Sequence, residues 1–223
     1  DPDRLIIFAD GTDVMYAGCD EDEMLRSYQK VVAASNGTRV VYGAQFREFP
    51  DMKGGLAKYA KESERMRQVQ QAFGLTDAAW APYQKTRMCK EQAVGTCSDP
   101  PWYQFLNAGW VLGPVGALAE VYESVLRVNV KDTYYWNDQV WAKELPWNDQ
   151  RSTATYMLQH PDRVTLDYSG SLVADMVFNH WSLLSVRGGR VLNKLTNLTQ
   201  CFVHGNGESF EQWQAFEKNL RKV

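Results

Sequence analysis

Four short clusters in this 223-residue chain carry side chains able to do chemistry. The first is Asp10 and Asp13, three apart in FADGTD, at the end of an apolar run. The second is Asn107 with Gly109 in FLNAG. In the third, Trp-Asn-Asp-Gln occurs twice, at 136–139 and 147–150, which offers Asp138 and Asp149 as carboxylates. The fourth is His204-Gly205-Asn206-Gly207, directly after the apolar pair Phe202-Val203. Paired carboxylates at a strand end suit hard divalent cations such as Mn²⁺ or Mg²⁺. A ring nitrogen of His204 would complete the coordination, and Gly205 and Gly207 would let main-chain N–H groups approach phosphate oxygens. His160, before Pro161, and His180, before Trp181, have no such setting.

A strand followed by Asp-Gly-Thr also matches the nucleophile loop of the haloacid dehalogenase-like phosphatases, which reads Asp-x-Asp-Gly-Thr. The nucleophilic position of that pattern falls on Phe8, which cannot form an aspartyl-phosphate. The phosphatase reading therefore loses its chemistry and the cation reading remains. Nucleotide-sugar transferases place such an acidic pair at a strand end for a stated reason. Expelling a nucleoside diphosphate leaves new negative charge on the β-phosphate, which a bound cation stabilises.

These clusters need a scaffold, and the chain has the material for one. It is 44% hydrophobic with a net charge of -3, enough apolar sequence for one large domain or a core with an insertion. The charge gives no overall basic field, so extensive nucleic-acid binding is disfavoured, although Lys53, Lys58, Lys61, Arg65 and Arg67 make a local basic group. No apolar run is long enough for a membrane-spanning helix and no signal peptide is visible. The four cysteines lack zinc-ligand spacing; Cys89 and Cys97 bracket a polar loop that a disulfide would close in an oxidising compartment. Two glycosylation sequons, Asn36-Gly37-Thr38 and Asn197-Leu198-Thr199, point the same way, toward the lumen of the endoplasmic reticulum or Golgi.

LIIFAD at 5–10 reads as a strand buried on both faces, EDEMLRSYQKVVAAS as a helix and TRVVYGAQ as the next strand. This unit predicts an α/β layered fold with ligands at the carboxyl ends of the strands. From 46 to 101 the pattern breaks into charged and turn-rich stretches, which we read as an insertion or lid within a single domain spanning 1–223. Order returns with a strand through FLNAG and a helix from about Pro114 to Val128. RSTATYMLQHP then reads as a helix, and RVTLDYS and QCFVHGNG as strands, ahead of an amphipathic tail. Trp136, Trp141 and Trp147 are candidate stacking platforms for a sugar or base, with core packing as the alternative role.

FADGTDVMYAG, VVYGAQ, FLNAGWVLG, NDQ, VTLDYSGSLV and VHGNG, in that order, resemble the glycosyltransferase domain of the procollagen lysyl hydroxylases and their relatives. The resemblance runs from Leu5 to about Asn219, apart from 46–101. It implies a GT-A-type nucleotide-sugar transferase with a Rossmann-like mixed sheet, dependent on Mn²⁺ (or Mg²⁺) and a UDP-sugar. UDP-glucose or UDP-galactose would be the donor, and a hydroxyl group the acceptor, with hydroxylysine of a collagen-like protein as the family expectation. By position, Asp10, Asp13 and His204 would be metal ligands. Asn206 and Gly207 would lie against the UDP phosphates, with Gly205 beside them, and Asn107 and Gly109 in the turn facing the donor sugar. The family's acidic run before Gln supplies the catalytic carboxylate, and here it is only Asn-Asp-Gln. The continuation RSTATYMLQHPDRVTLD favours Asp149 over Asp138, with Asn148 in place of one of the family's acids. The family's domain also begins with an earlier strand and helix at the uridine pocket, so the N-terminal part of the domain is expected to precede Asp1. A degenerate, non-catalytic copy of the same fold, acting as a binding module, is the alternative reading, as is a transferase acting on a hydroxymethylated DNA base.

Overall fold

The computed structural model describes residues 1–46, 59–81, 103–128, 148–176 and 183–205, together with Phe216 and Lys218. The first strand, β1 (Leu5–Ala9), leads through a turn to the short β2 (Val14–Tyr16) and then to helix α1 (Glu21–Ala34). That helix starts at Asp20 for a local reason. The Asp20 carboxylate accepts from the Glu23 N–H at 2.7 Å, and the Glu23 carboxylate accepts from the Asp20 N–H at 2.8 Å, a reciprocal capping box. Its apolar residues Met24, Tyr28, Val31 and Val32 recur at helical spacing and face the core. It ends in a turn where Asn36 and Gly37 take positive φ, 55° and 83°, conformations that Asn and Gly tolerate.

β3 (Val40–Gln45) follows and is buried along its whole length. After it come a 3₁₀ turn (Ala60–Glu62), α2 (Ser63–Ala72) and α3 (Asp77–Trp80). The second half is β4 (Phe105–Pro114), α4 (Val115–Val125), α5 (Asp149–Gln159), β5 (Val164–Leu166), β6 (Val173–Asp175), β7 (Leu184–Arg187), β8 (Arg190–Asn193), β9 (Leu198–Thr199) and β10 (Phe202–His204). Among the described residues the strands form three sheets: β1-β4-β3-β5, β2-β10-β6 and the meander β7-β8-β9. In the first, β3 and β5 are parallel, and β4 runs antiparallel between β1 and β3. The chain is thus a mixed α/β fold with mixed sheets, and none of its described helices is long and apolar enough to cross a membrane.

The expectation that β1 is buried on both faces is not met. Its pattern is that of an edge strand, with Ile6 and Ile7 each 37% and Phe8 57% exposed. Among the described residues β1 has one hydrogen-bonded neighbour, β4, while β3 lies between β4 and β5 and takes the fully covered position. An apolar run reports a strand but not its rank in the sheet. In the stretch read as an insertion or lid, Tyr59, Val69, Phe73 and Leu75 pack into the same core as Val41, Trp110, Leu112 and Leu166. Two of its basic residues are engaged locally. Arg65 pairs with Glu62 at 3.3 Å and donates to the carbonyls of Pro161 and Val164, and Arg67 pairs with Glu64. Lys53 and Lys58 lie outside the described residues.

A disulfide joins Cys19 to Cys201, 182 residues apart, with both residues buried. Cys89 and Cys97, the pair that sequence spacing singles out, lie outside the described residues. The sequon asparagines Asn36 and Asn197 are both exposed on turns.

Beyond β5 the buried Asp167 organises the loop into β6. Its carboxylate accepts from the hydroxyls of Ser169 (2.7 Å) and Ser171 (3.1 Å) and from the N–H groups of Leu172 (2.6 Å) and Val173 (3.2 Å). Gly170 sits in this loop at φ +59°, where an added Cβ would meet the Tyr103 ring at 2.6 Å. Replacing Asp167 by Ala strands four buried donors, so Asp167→Ala is expected to cost about 3 kcal/mol or more in urea unfolding. Asp167→Asn, which keeps one acceptor oxygen, should cost less; a loss below about 1 kcal/mol for the alanine variant would contradict this role.

Candidate metal centre

Asp10 is the residue directly after β1, and Asp13 directly precedes β2. β2 pairs antiparallel with β10, in a register that sets His204 opposite Val14. The pairing therefore carries His204 across the fold to lie beside Asp13, and the Gly205 N–H closes the corner by donating to the Asp13 carbonyl at 2.8 Å. One ligand atom from each of Asp10, Asp13 and His204 lies within 4.8 Å of the others. The three sequence-predicted metal ligands are brought together.

His204 is 2% exposed and stands between two carboxylates. Its Nε2 is 3.4 Å from Asp13 Oδ2, and its Nδ1 is 3.2 Å from Asp175 Oδ2. Asp175 ends β6, in parallel register with His204, and is itself buried. Burial alone drives the ring toward its neutral form, but the hydrogen bonds and charges of Asp13 and Asp175 outweigh it and push the His204 pKa up to about 10. The Asp10 carboxyl is raised above its ordinary range. Partial burial is the chief cause, opposed by His204 and reinforced by the charges of Asp13 and Asp149.

Two observations bear on whether a cation fits between these side chains. Asp13 Oδ1 is buried and has no hydrogen-bond partner among the described residues, an unmatched acceptor on one of the three candidate ligands. Gly109 flanks the same space: a Cβ there would stand 2.9 Å from both Asp10 Oδ2 and His204 Nε2, and closer still to His204 Cε1. Only glycine leaves the ligands room. Two carboxylates and an imidazole, with Asp175 fixing the imidazole from behind, form a donor set suited to Mn²⁺ or Mg²⁺ and to the carboxylate–histidine–metal arrangement.

Gly109 is brought here by an irregularity in β4. Tyr42 of β3 faces Val111, but its neighbour Gly43 faces Asn107, so residues 108–110 bulge from that ladder. The bulge is tied down on several sides. Asn107, 3% exposed, accepts from the Gly109 N–H at 2.8 Å and donates to Gln45 Oε1 at 3.0 Å. The Ala108 N–H donates to Gln150 Oε1 at 3.1 Å, and the Gly109 carbonyl accepts from the Asp10 N–H at 2.9 Å. Asn107 thus shapes the bulge through its amide.

The carboxylate expected to be catalytic lies toward the same end of the sheet. Asp149 is exposed at the first turn of α5, and its charge reaches Asp10 as well as Tyr42 and Tyr122, helping to raise all three pKa values. Asn148 caps that helix, its side chain accepting from the Arg151 N–H at 2.9 Å. Gly205 spends its N–H on Asp13 rather than on an outside oxygen. Asn206, Gly207, Asp138, Trp136, Trp141 and Trp147 lie outside the described residues. Sequence reading missed two residues. Asp175, an acid closing the apolar run SLVAD, carries the signal that singled out Asp10; Gln150 stood within the repeated Asn-Asp-Gln and was passed over for its neighbours.

The raised His204 pKa gives a sign to the pH dependence of the cation-free protein. The folded state binds this proton more tightly than the unfolded chain, whose histidines titrate near 6.5. The contribution is complete below about pH 6.5 and is lost as pH rises through about 10. Urea unfolding in chelator should show stability falling over this interval, with a shallower fall in His204→Gln; equal slopes for the two proteins would refute the assignment. No protein-family model matches the chain, and no curated protein is similar to it at a significant level, so its chemistry rests on this geometry.

Proposed function

We propose that the protein is a divalent-cation-dependent glycosyltransferase that moves a hexose from a UDP-sugar, UDP-glucose or UDP-galactose, to a hydroxyl acceptor. The observation that carries this reading is the convergence of Asp10, Asp13 and His204 at one end of the sheet, with an exposed carboxylate, Asp149, acting on the same site. The GT-A type of fold belongs to the same proposal, supported by the mixed sheet and by the order of the sequence blocks. The preferred acceptor is the hydroxylysine of a collagen-like protein. The ion pairs made by Arg65 and Arg67 weaken the case for a nucleic-acid acceptor.

Asp10, Asp13 and His204 would hold Mn²⁺ or Mg²⁺, which when bound supplies Lewis-acid stabilisation of the charge left on the departing diphosphate. Asp175 orients the ring, its carboxylate engaging Nδ1 so that Nε2 is directed toward Asp13. Binding a cation requires Nε2 without its proton, so uptake releases protons near neutral pH. Asp149 supplies the carboxylate for the acceptor. The acceptor oxygen forms a bond to the anomeric carbon, the bond from that carbon to the phosphate oxygen breaks with its electron pair leaving on UDP, and the hydroxyl proton passes to a carboxylate.

The test is UDP release from UDP-glucose and UDP-galactose by the full-length protein, with Mn²⁺ or with chelator, alongside calorimetric titration of Mn²⁺ in buffers of different ionisation enthalpy. Expected results are cation-dependent turnover, proton release on binding, loss of turnover in Asp13→Asn and His204→Ala, and an affinity roughly 10–100-fold weaker in Asp175→Asn. Cation binding without turnover would favour the non-catalytic module. Absence of binding would remove the metal centre altogether.

A further inference from the structure

Cys19 and Cys201 stand close in sequence to the cation ligands, six residues after Asp13 and three before His204. The two segments run side by side. His204 faces Val14, Val203 faces Met15 and Phe202 faces Tyr16, after which the Ala17 N–H donates to the Cys201 carbonyl at 2.8 Å and the disulfide joins Cys201 to Cys19. Ligands thus sit at one end of a three-residue ladder and the disulfide at the other.

The two strands of this ladder are not equally supported. β10 is also paired with β6, with the Met176 N–H donating to the His204 carbonyl and the Phe202 N–H to the Leu172 carbonyl, each at 2.9 Å. Among the described residues β2 is the edge of that sheet, and Tyr16 on it is 58% exposed. Asp13 therefore depends, for its place against His204, on a short edge ladder closed by the Gly205 N–H bond to its carbonyl. It depends also on the far end of that ladder, where the Val191 N–H donates to the Ala17 carbonyl and the disulfide ties Cys19 to Cys201. A three-residue edge strand frays readily. Ligand geometry is lost by displacements of about 1 Å.

We infer that the Cys19–Cys201 disulfide is the positioning device for Asp13, so that the protein's affinity for divalent cation depends on its thiol redox state. The inference rests on the metal-centre reading above. Reduction breaks the S–S bond, and two electrons and two protons from an external dithiol give two cysteine thiols and the cyclised dithiol. In the reduced protein β10 keeps its pairing with β6, and with it His204 and Asp175, while β2 and Asp13 are left to the hydrogen bonds of the edge ladder and its two ends, without a covalent tie. Because both sulfurs belong to buried residues, the bond resists reduction in the folded cation-bound state and is most accessible before the site has closed.

The experiment measures Mn²⁺ binding by electron paramagnetic resonance and calorimetry on three samples of the full-length protein: oxidised, reduced with dithiothreitol with thiols counted, and the Cys19→Ala/Cys201→Ala variant. Circular dichroism is recorded on each. The expected result is an oxidised protein that binds and reduced and variant proteins with native circular dichroism that bind roughly tenfold or more weakly. Unchanged affinity after reduction, with the freed thiols counted and the variant agreeing, overturns the inference while leaving the metal centre intact. Unfolding of the whole protein on reduction also overturns it, since the bond would then be a general staple. Failure of the oxidised protein to bind Mn²⁺ overturns the metal centre and this inference with it.

Discussion

The site depends on one buried contact, the imidazole of His204 held between the carboxylates of Asp13 and Asp175. A charged ring in the interior is costly unless its partners compensate, and here both nitrogens face an acid. The net charge of this trio requires a positive partner, supplied by the ring proton or by a cation. Strand pairing makes the contact available: β6, β10 and β2 lie side by side, so Asp175, His204 and the residue next to Asp13 fall in one row across the sheet. A change in register of a single residue would turn each of these side chains to the opposite face.

The second constraint is space. The β4 bulge sets a residue without a side chain against Asp10 and His204; Asn107 accepts from its N–H, and Gln150 accepts from the N–H of the preceding Ala108. Asn107, Gln45 and Gln150 are polar and mostly or fully buried, a costly composition for a core when left unpaired. The bond between Asn107 and Gln45, and that of the Ala108 N–H to Gln150, explain why they are tolerated. They convert a strand irregularity into a fixed surface, the property a ligand site requires. The Gln150 bond links the central sheet to α5, which carries Asp149, so Gly109 beside the candidate ligands and the candidate acceptor carboxylate are held on one framework.

Outside the site, the core is built where apolar residues converge on β3 and β4. Val40, Val41 and Tyr42 from one strand and Trp110, Val111 and Leu112 from the other are buried, with Val31 of α1, Leu118 and Val121 of α4 and Met157 of α5 packed around them. The segment after β3 contributes Tyr59, Val69 and Phe73 to this core, so its helices are structural whatever else they cover. Their charged faces are largely satisfied locally by the Glu62–Arg65 and Glu64–Arg67 pairs.

Periodicity in the sequence was sufficient to place α1, β3, β4, α4 and α5, because each carries an uninterrupted apolar pattern or a local cap. The strand-end position of Asp10 and the setting of His204 before Gly205 were legible for the same reason, since they depend on neighbours in the chain. Pairing between distant segments was not. The exposure of β1, the bond from Cys19 to Cys201, the placement of Asp175 behind His204 and the turning inward of Asn107 all follow from which strand lies beside which. That choice is made by burial and hydrogen bonding summed over the whole sheet, and it leaves no mark at any single position. The sequence by itself determined which groups were available for chemistry; the tertiary structure decided which of them meet, because a contact across 182 residues is a property of the fold rather than of either end.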